Sequence, residues 1–238
     1  MKITLKRWLS FPALSLLLVS AGLLAAGCEK KSKDKEKKET EEKKQKAEKK
    51  DEKSLVEKAR ANLGPYEALP EKFPSEDNPI TEQKVELGRM LYYENRISMN
   101  NDVSCNTCHP LDEYGVDGTK VSVGHKDRKG PRNAPTVYNA ANQIAQFWDG
   151  RAADVEEQAK GPVLNPKEMG MPGKEKVEEF LSSVDGYKKA FKEAFPESDN
   201  PVSFDNMAKA IGAFERKLVT PSKWDKFIEG DDDALSDK

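Results

Sequence analysis

The stretch Cys105-Asn106-Thr107-Cys108-His109 places two thiols three residues apart, with an imidazole directly after the second. On one helical turn this spacing lets both thiols reach the two vinyl groups of a single porphyrin, and the adjacent His lies under the iron as proximal ligand. The pattern is that of c-type haem attachment. Two other chemistries use part of it. A zinc site would need further ligands, yet the chain holds only 3 Cys and 2 His. A thioredoxin-like dithiol would need a βαβ setting, and no convincing alternating strands are found. The same scarcity excludes a disulfide framework and a His-rich transport surface.

Around this motif the pattern is one of helices and loops. A short helix is predicted over 55–62. Thr81 is placed to cap a helix through Tyr93, with Val85, Met90 and Leu91 among its apolar positions. Residues 115–133 read as loop, rich in Gly and charge. Residues 154–160 read as a helix stopped by Gly161-Pro162, and 174–195 as helix in two pieces broken near Ser182. The clearest helix spans 203–218. Ser203 is its N-cap, Met207, Ile211, Phe214 and Leu218 form its stripe, and Thr220-Pro221 ends it. The stripe reads as core ahead of cofactor wall. The second His, His125, lies in the 115–133 loop. It is the only other His available as a sixth iron ligand, and six Met compete for that role.

The N-terminal quarter is of another kind. Lys2, Lys6 and Arg7 precede an apolar stretch over 11–26, then Ala25-Ala26-Gly27-Cys28. This is the layout of an export signal, too short for a transmembrane helix of about 20 residues. The small residues before Cys28 resemble a bacterial lipobox, in which the Cys is lipidated; Ala25 stands where that motif prefers Leu. Residues 1–27 are thus expected to be a lipoprotein signal, and the chain a membrane-anchored periplasmic lipoprotein. From Glu29 to Lys53 there are 12 Lys and 9 Asp or Glu, with no apolar face at either period. Residues 28–53 are expected to be a charged disordered tether, with transient helix from Glu–Lys pairs three or four apart. The interleaved signs argue against a nucleic-acid arm. Three net positive charges in the leader and three in the charge run turn the overall −2 into −8 for residues 54–238. That balance favours a basic partner.

Several further stretches carry a resemblance. They are Asn133-Ala134-Pro135-Thr136-Val137-Tyr138-Asn139, Gln146-Phe147-Trp148-Asp149-Gly150-Arg151-Ala152, Glu157-Gln158-Ala159, Pro162-Val163-Leu164-Asn165-Pro166-Lys167-Glu168-Met169 and Ala210-Ile211-Gly212-Ala213-Phe214-Glu215-Arg216. In order, and placed around the haem motif, they resemble the bacterial di-haem cytochrome c peroxidases from about Leu87 onward; the methylamine-utilisation di-haem enzymes share much of the pattern. The resemblance implies an all-α c-type cytochrome domain over 54–195, with 196–238 leading into a second haem domain. It implies that Cys105, Cys108 and His109 hold the low-potential peroxidatic haem, and that His125 ligates its iron in the oxidised resting state. It further implies Gln158 and Glu168 as the distal catalytic pair, Trp148 between the haems, and Asn133 as a calcium ligand. The bland alternatives are core for Trp148, a helix-surface amide for Gln158 and a solvated acid for Glu168.

The implied activity is reduction of hydrogen peroxide by electrons from a small cytochrome c or cupredoxin, in a protein able to dimerise. The sequence departs from the family in holding one Cys-x-x-Cys-His. It stops short of the second motif, so the second haem, its Met ligand and part of the calcium site are expected to be missing. Burial around residues 207–218 is then expected to be incomplete. A single-haem electron carrier or peroxide sensor is the alternative activity.

Overall fold

The computed structural model describes residues 23–235, with side chains from residue 35 onward. It divides into two units, Met1–Pro65 and Tyr66–Lys238. Residues 1–22 of the expected 1–27 signal and the side chain of Cys28 lie outside the described residues. No helix of the described residues is long and apolar enough to cross a membrane.

The first unit is built on α1 (Leu23–Ala61), 39 residues long. It takes in the charge run over 28–53 and the expected short helix over 55–62. The cause is compositional. No Gly or Pro interrupts residues 28–63, and Lys, Glu, Gln and Ala are strong helix formers. Lys44 and Glu48 pair one turn apart at 3.8 Å. The Asn62 amide donates to the Lys58 carbonyl at 2.8 Å, and the helix ends before Gly64.

The second unit is all-α among the described residues, with two isolated antiparallel bridges in its loops. Its helices are α2 (Glu82–Tyr92), α3 (Cys105–Cys108), α4 (Val155–Leu164), α5 (Lys174–Ser183), α6 (Asp185–Ala194), α7 (Phe204–Glu215) and α8 (Lys223–Glu229). The predicted caps hold. Thr81 Oγ1 accepts the Lys84 N–H at 3.2 Å and Ser203 Oγ the Asn206 N–H at 3.2 Å. Extended Val184 breaks α5 from α6 beside the predicted point.

Helix α7 is the centre of this unit, packed on α2 and α4. Gly88 permits the α2–α7 approach, because a methyl there would overlap the Ala210 carbonyl. Leu91, Val163, Leu181, Phe191, Met207 and Ile211 are fully buried around the contact. Each such side chain contributes about 1.5–3 kcal/mol of burial. Helix α7 packs into the core begun by α2, within the unit Tyr66–Lys238. Along the stripe, Met207 and Ile211 are at 0% exposure and Phe214 at 8%, while Leu218, beyond the end of α7, is half-buried.

Two local departures have local causes. Helix α4 runs through Gly161-Pro162 to Leu164, although Pro162 offers no N–H. Buried Val163 anchors the last turn, and the Asn165 N–H caps it at Gly161 O, 3.0 Å. Helix α8 was not predicted. Ser222 and Asp225 form its capping box and left-handed Gly230 closes it, while Asp225 also accepts the Leu69 N–H at 2.8 Å.

Candidate haem cleft

Helix α3 is one turn, and the residues between its cysteines shape it. Thr107 Oγ1 accepts the Ser104 N–H at 3.0 Å, and Asn106 Oδ1 accepts the Leu111 N–H at 3.2 Å. Cys105, Cys108 and His109 therefore open together onto one cleft enclosing a cavity of about 220 Å³. Both thiols are free. Burial pushes Cys105 up to about 12 and raises Cys108, so both stay protonated. Such thiols are poor candidates for a redox dithiol, which needs a ready thiolate. Among the described residues no group of three or more His, Cys, Asp or Glu could hold a metal ion, which leaves the zinc alternative without ligands.

The His109 ring is fixed from behind. Its Nδ1 lies 2.9 Å from the Pro135 carbonyl and 3.3 Å from that of Gly115. Carbonyls only accept, so Nδ1 carries the proton and Nε2 keeps its lone pair for a metal. Burial holds this imidazole below its ordinary value, partly opposed by the two carbonyls, so it is neutral near pH 7. Fully buried Tyr92 donates its hydroxyl to the His109 carbonyl at 2.7 Å. Two free thiols one turn apart, a neutral imidazole aimed by a backbone carbonyl, and an apolar cavity against them together fit a covalent porphyrin.

The facing wall comes from α4 and the loop after it. Gln158, Pro162, Asn165 and Glu168 line the same cleft. The loop is tied by backbone bonds: Glu168 N and Gly170 N both donate to Asn165 O at 2.9 Å. Burial raises the Glu168 carboxyl above the ordinary range, partly offset by Arg151 and Asn165. The family resemblance paired Gln158 with Glu168, and both line one cavity. Arg151 also stacks over the Phe147 ring, 3.5 Å from its centroid, and pairs with Asp149 at 2.7 Å. Phe147 holds a left-handed backbone (φ 64), a strained conformation for a bulky side chain.

His125 is elsewhere. It is buried at 3% exposure and does not line the cleft. Its Nδ1 faces the Asp102 carboxylate, 3.5 Å from Oδ2, and makes no hydrogen bond among the described residues. Its backbone N–H donates to the Glu168 carbonyl at 2.7 Å. Gly124 makes this docking possible, since a methyl there would strike the backbone of Lys167 and Glu168. Asn133 and Trp148 line the exposed mouth. The Trp148 indole donates to the Asn133 carbonyl at 3.1 Å, and the ring is 62% exposed. Trp148 is thus not core. Glu215, Arg151 and Asp102 were not singled out from sequence. Glu215 had a legible signal, an acid one turn beyond Ile211 on the apolar stripe of α7.

Residues 82–233 match the family described as di-haem cytochrome c peroxidase. The chain is 52% identical over 158 residues to a cytochrome c551 peroxidase of Pseudomonas aeruginosa, covering 66% of this chain and 45% of that protein. It is 46% identical over 159 residues to the cytochrome c551 peroxidase of Nitrosomonas europaea, covering 66% and 47%. Among solved structures, it is similar to a MauG-like protein associated with microbial copper homeostasis. That likeness has 32% identity and a TM-score of 0.63, over 71% of this chain and 50% of the other. The chain spans about half the length of these relatives.

Proposed function

This chain belongs to the di-haem cytochrome c peroxidase family, and on that premise we propose that its cleft reduces hydrogen peroxide to water with electrons from a small cytochrome c or cupredoxin. One observation carries the proposal: Cys105, Cys108 and His109 share a cavity with Gln158 and a half-buried Glu168 of raised pKa. Cys105 and Cys108 would hold haem c through thioether bonds, with His109 Nε2 toward the iron. When bound, the haem supplies an open iron position for peroxide and a path for electrons.

The protein's own groups manage the protons. Reduction consumes two electrons and two protons and releases two waters. Glu168 takes the proton from one peroxide oxygen and returns it to the other, which a carboxyl tuned toward working pH does best. The Gln158 amide N–H orients peroxide by donating to it. Phe147 and Pro162 line the cavity beside this pair. His125 closes the site in the resting oxidised protein, and its loop must then leave the Glu168 loop to reach iron. In a molecule that also holds the family's second haem, Trp148 at the mouth would lie on the electron path between the two, and Asn133 would be one ligand of a calcium ion there. Cys28 carries the lipid that anchors the chain in the periplasm, with the part of α1 that follows it as spacer. The experiment is peroxide-dependent oxidation of reduced cytochrome c by the haem-loaded chain. It is expected to proceed in the wild type and to fall sharply in Glu168→Gln; no peroxide dependence would overturn the proposal.

A further inference from the structure

Helix α7 ends inside the cleft with Glu215. This residue lines the same cavity as Cys105 and is 5% exposed. Its place follows from helical period, one turn beyond the cavity-lining Ile211. Four titratable or charged groups face it: Tyr92 of α2, Cys105 of α3, Glu156 of α4 and Arg216. Arg216 is the only cation of the four, and Glu156 already holds it through both oxygens, at 2.8 and 2.9 Å. Tyr92 donates to the His109 carbonyl instead. The charged groups that act on the Glu215 carboxyl are Glu156 and the already paired Arg216.

An ionised carboxylate at this 5% exposed position faces no cation that is not already paired, which is costly. Burial first, then the negative charge of Glu156, pushes Glu215 up to about 8, with Arg216 opposing. The charge that can still change beside it is that of the bound cofactor. We infer that Glu215 is a redox-linked proton site: it takes up a proton when the haem held at Cys105, Cys108 and His109 gains an electron, and releases it on oxidation. The inference rests on the haem-binding reading above but not on peroxide turnover.

The step balances. One electron from a one-electron donor converts Fe(III) to Fe(II), and one proton from water converts the Glu215 carboxylate to the acid. Oxidation reverses both. The sign follows from charge: the ferric centre carries one more positive charge and favours the carboxylate, whereas the ferrous centre favours the acid. By reciprocity, protonated Glu215 raises the haem potential by the same free energy that reduction adds to its proton affinity. Electron delivery thereby draws a proton into the cavity where peroxide reduction consumes protons. Glu168 is a separate group, on the loop after α4.

The test is a mediated redox titration of the haem-loaded chain at several pH values between about 6 and 10, a range spanning the raised carboxyl. Covalent haem is verified first by absorbance and mass, since a chain without haem defeats the binding reading and not this inference. In the wild type the midpoint falls as pH rises. In Glu215→Gln that slope is lost, and the alkaline-limit midpoint is higher, because no carboxylate remains to favour Fe(III). Glu168→Gln keeps the slope. An unchanged slope in Glu215→Gln overturns the inference. Should that variant fail to fold, the redox-induced infrared difference spectrum of the wild type decides. A protonated-carboxyl band gained on reduction supports the inference, and the absence of such a band overturns it.

Discussion

His125 has two competing places. In the structure its ring is buried near Asp102 and its N–H is held by Glu168. As a ligand it would have to leave both. If it ligates the resting haem, the oxidised wild type is low-spin, and His125→Gly becomes high-spin without prior reduction. Ferric absorption and paramagnetic resonance read this directly; a low-spin spectrum indifferent to the substitution excludes His125 as ligand. Glu168 gives a second prediction at this scale. Burial raises its carboxyl, so the carboxylate that accepts a proton is populated only at higher pH than usual. Peroxidase rate limited by that base climbs with pH through the raised value. Glu168→Gln removes this limb along with about 10²–10⁴-fold of rate. A pH profile of kcat/KM in both proteins checks it.

At the scale of elements, α7 is joined to α4 by a buried ion pair. Glu156 accepts from Arg216 twice and from the Asn78 amide at 2.8 Å, while Arg216 also reaches the Pro74 carbonyl at 3.1 Å. Burial opposes ionisation of Glu156, but Arg216 and Asn78 outweigh it and hold the carboxyl below its usual range. Because the folded value is depressed, this stabilisation is present above the unfolded-state pKa and is lost as pH falls through the folded one. Glu156→Gln strands a buried cation and is expected to cost about 3–5 kcal/mol at neutral pH. Denaturant midpoints at neutral and acid pH measure both effects, with the variant flatter on the acid side.

Helices such as α2 and α7 were legible because a cap residue and a 3.6-residue apolar stripe mark each independently. The end of α4 was not, because buried Val163 overrides the local breaker Pro162. Helix α8 is short and carries little stripe, so its capping box was its only signal. In the site, covalent spacing exposed Cys105, Cys108 and His109. Gln158 and Glu168 lie ten residues apart on a helix and a loop, and only family resemblance paired them. The docking of His125 on the Glu168 loop depends on a close backbone approach, which no periodicity encodes.

The chain contains a highly charged helix, α1, and an acidic helical unit that holds the cleft. The proposed lipid anchor at Cys28 has a simple consequence: Cys28→Ala moves the protein from the membrane to the soluble fraction of cells, with its haem intact. Retention in the membrane fraction would show that another feature anchors it. The central claim is that one covalent haem at Cys105, Cys108 and His109 works with Glu168 on peroxide. The most direct measurement is the rate at which the haem-loaded chain oxidises reduced cytochrome c with added peroxide, compared with Glu168→Gln carrying the same amount of haem. Peroxide-dependent turnover in the wild type and its collapse in the variant are predicted. Equal rates in the two proteins, or no turnover in the wild type, would contradict the account.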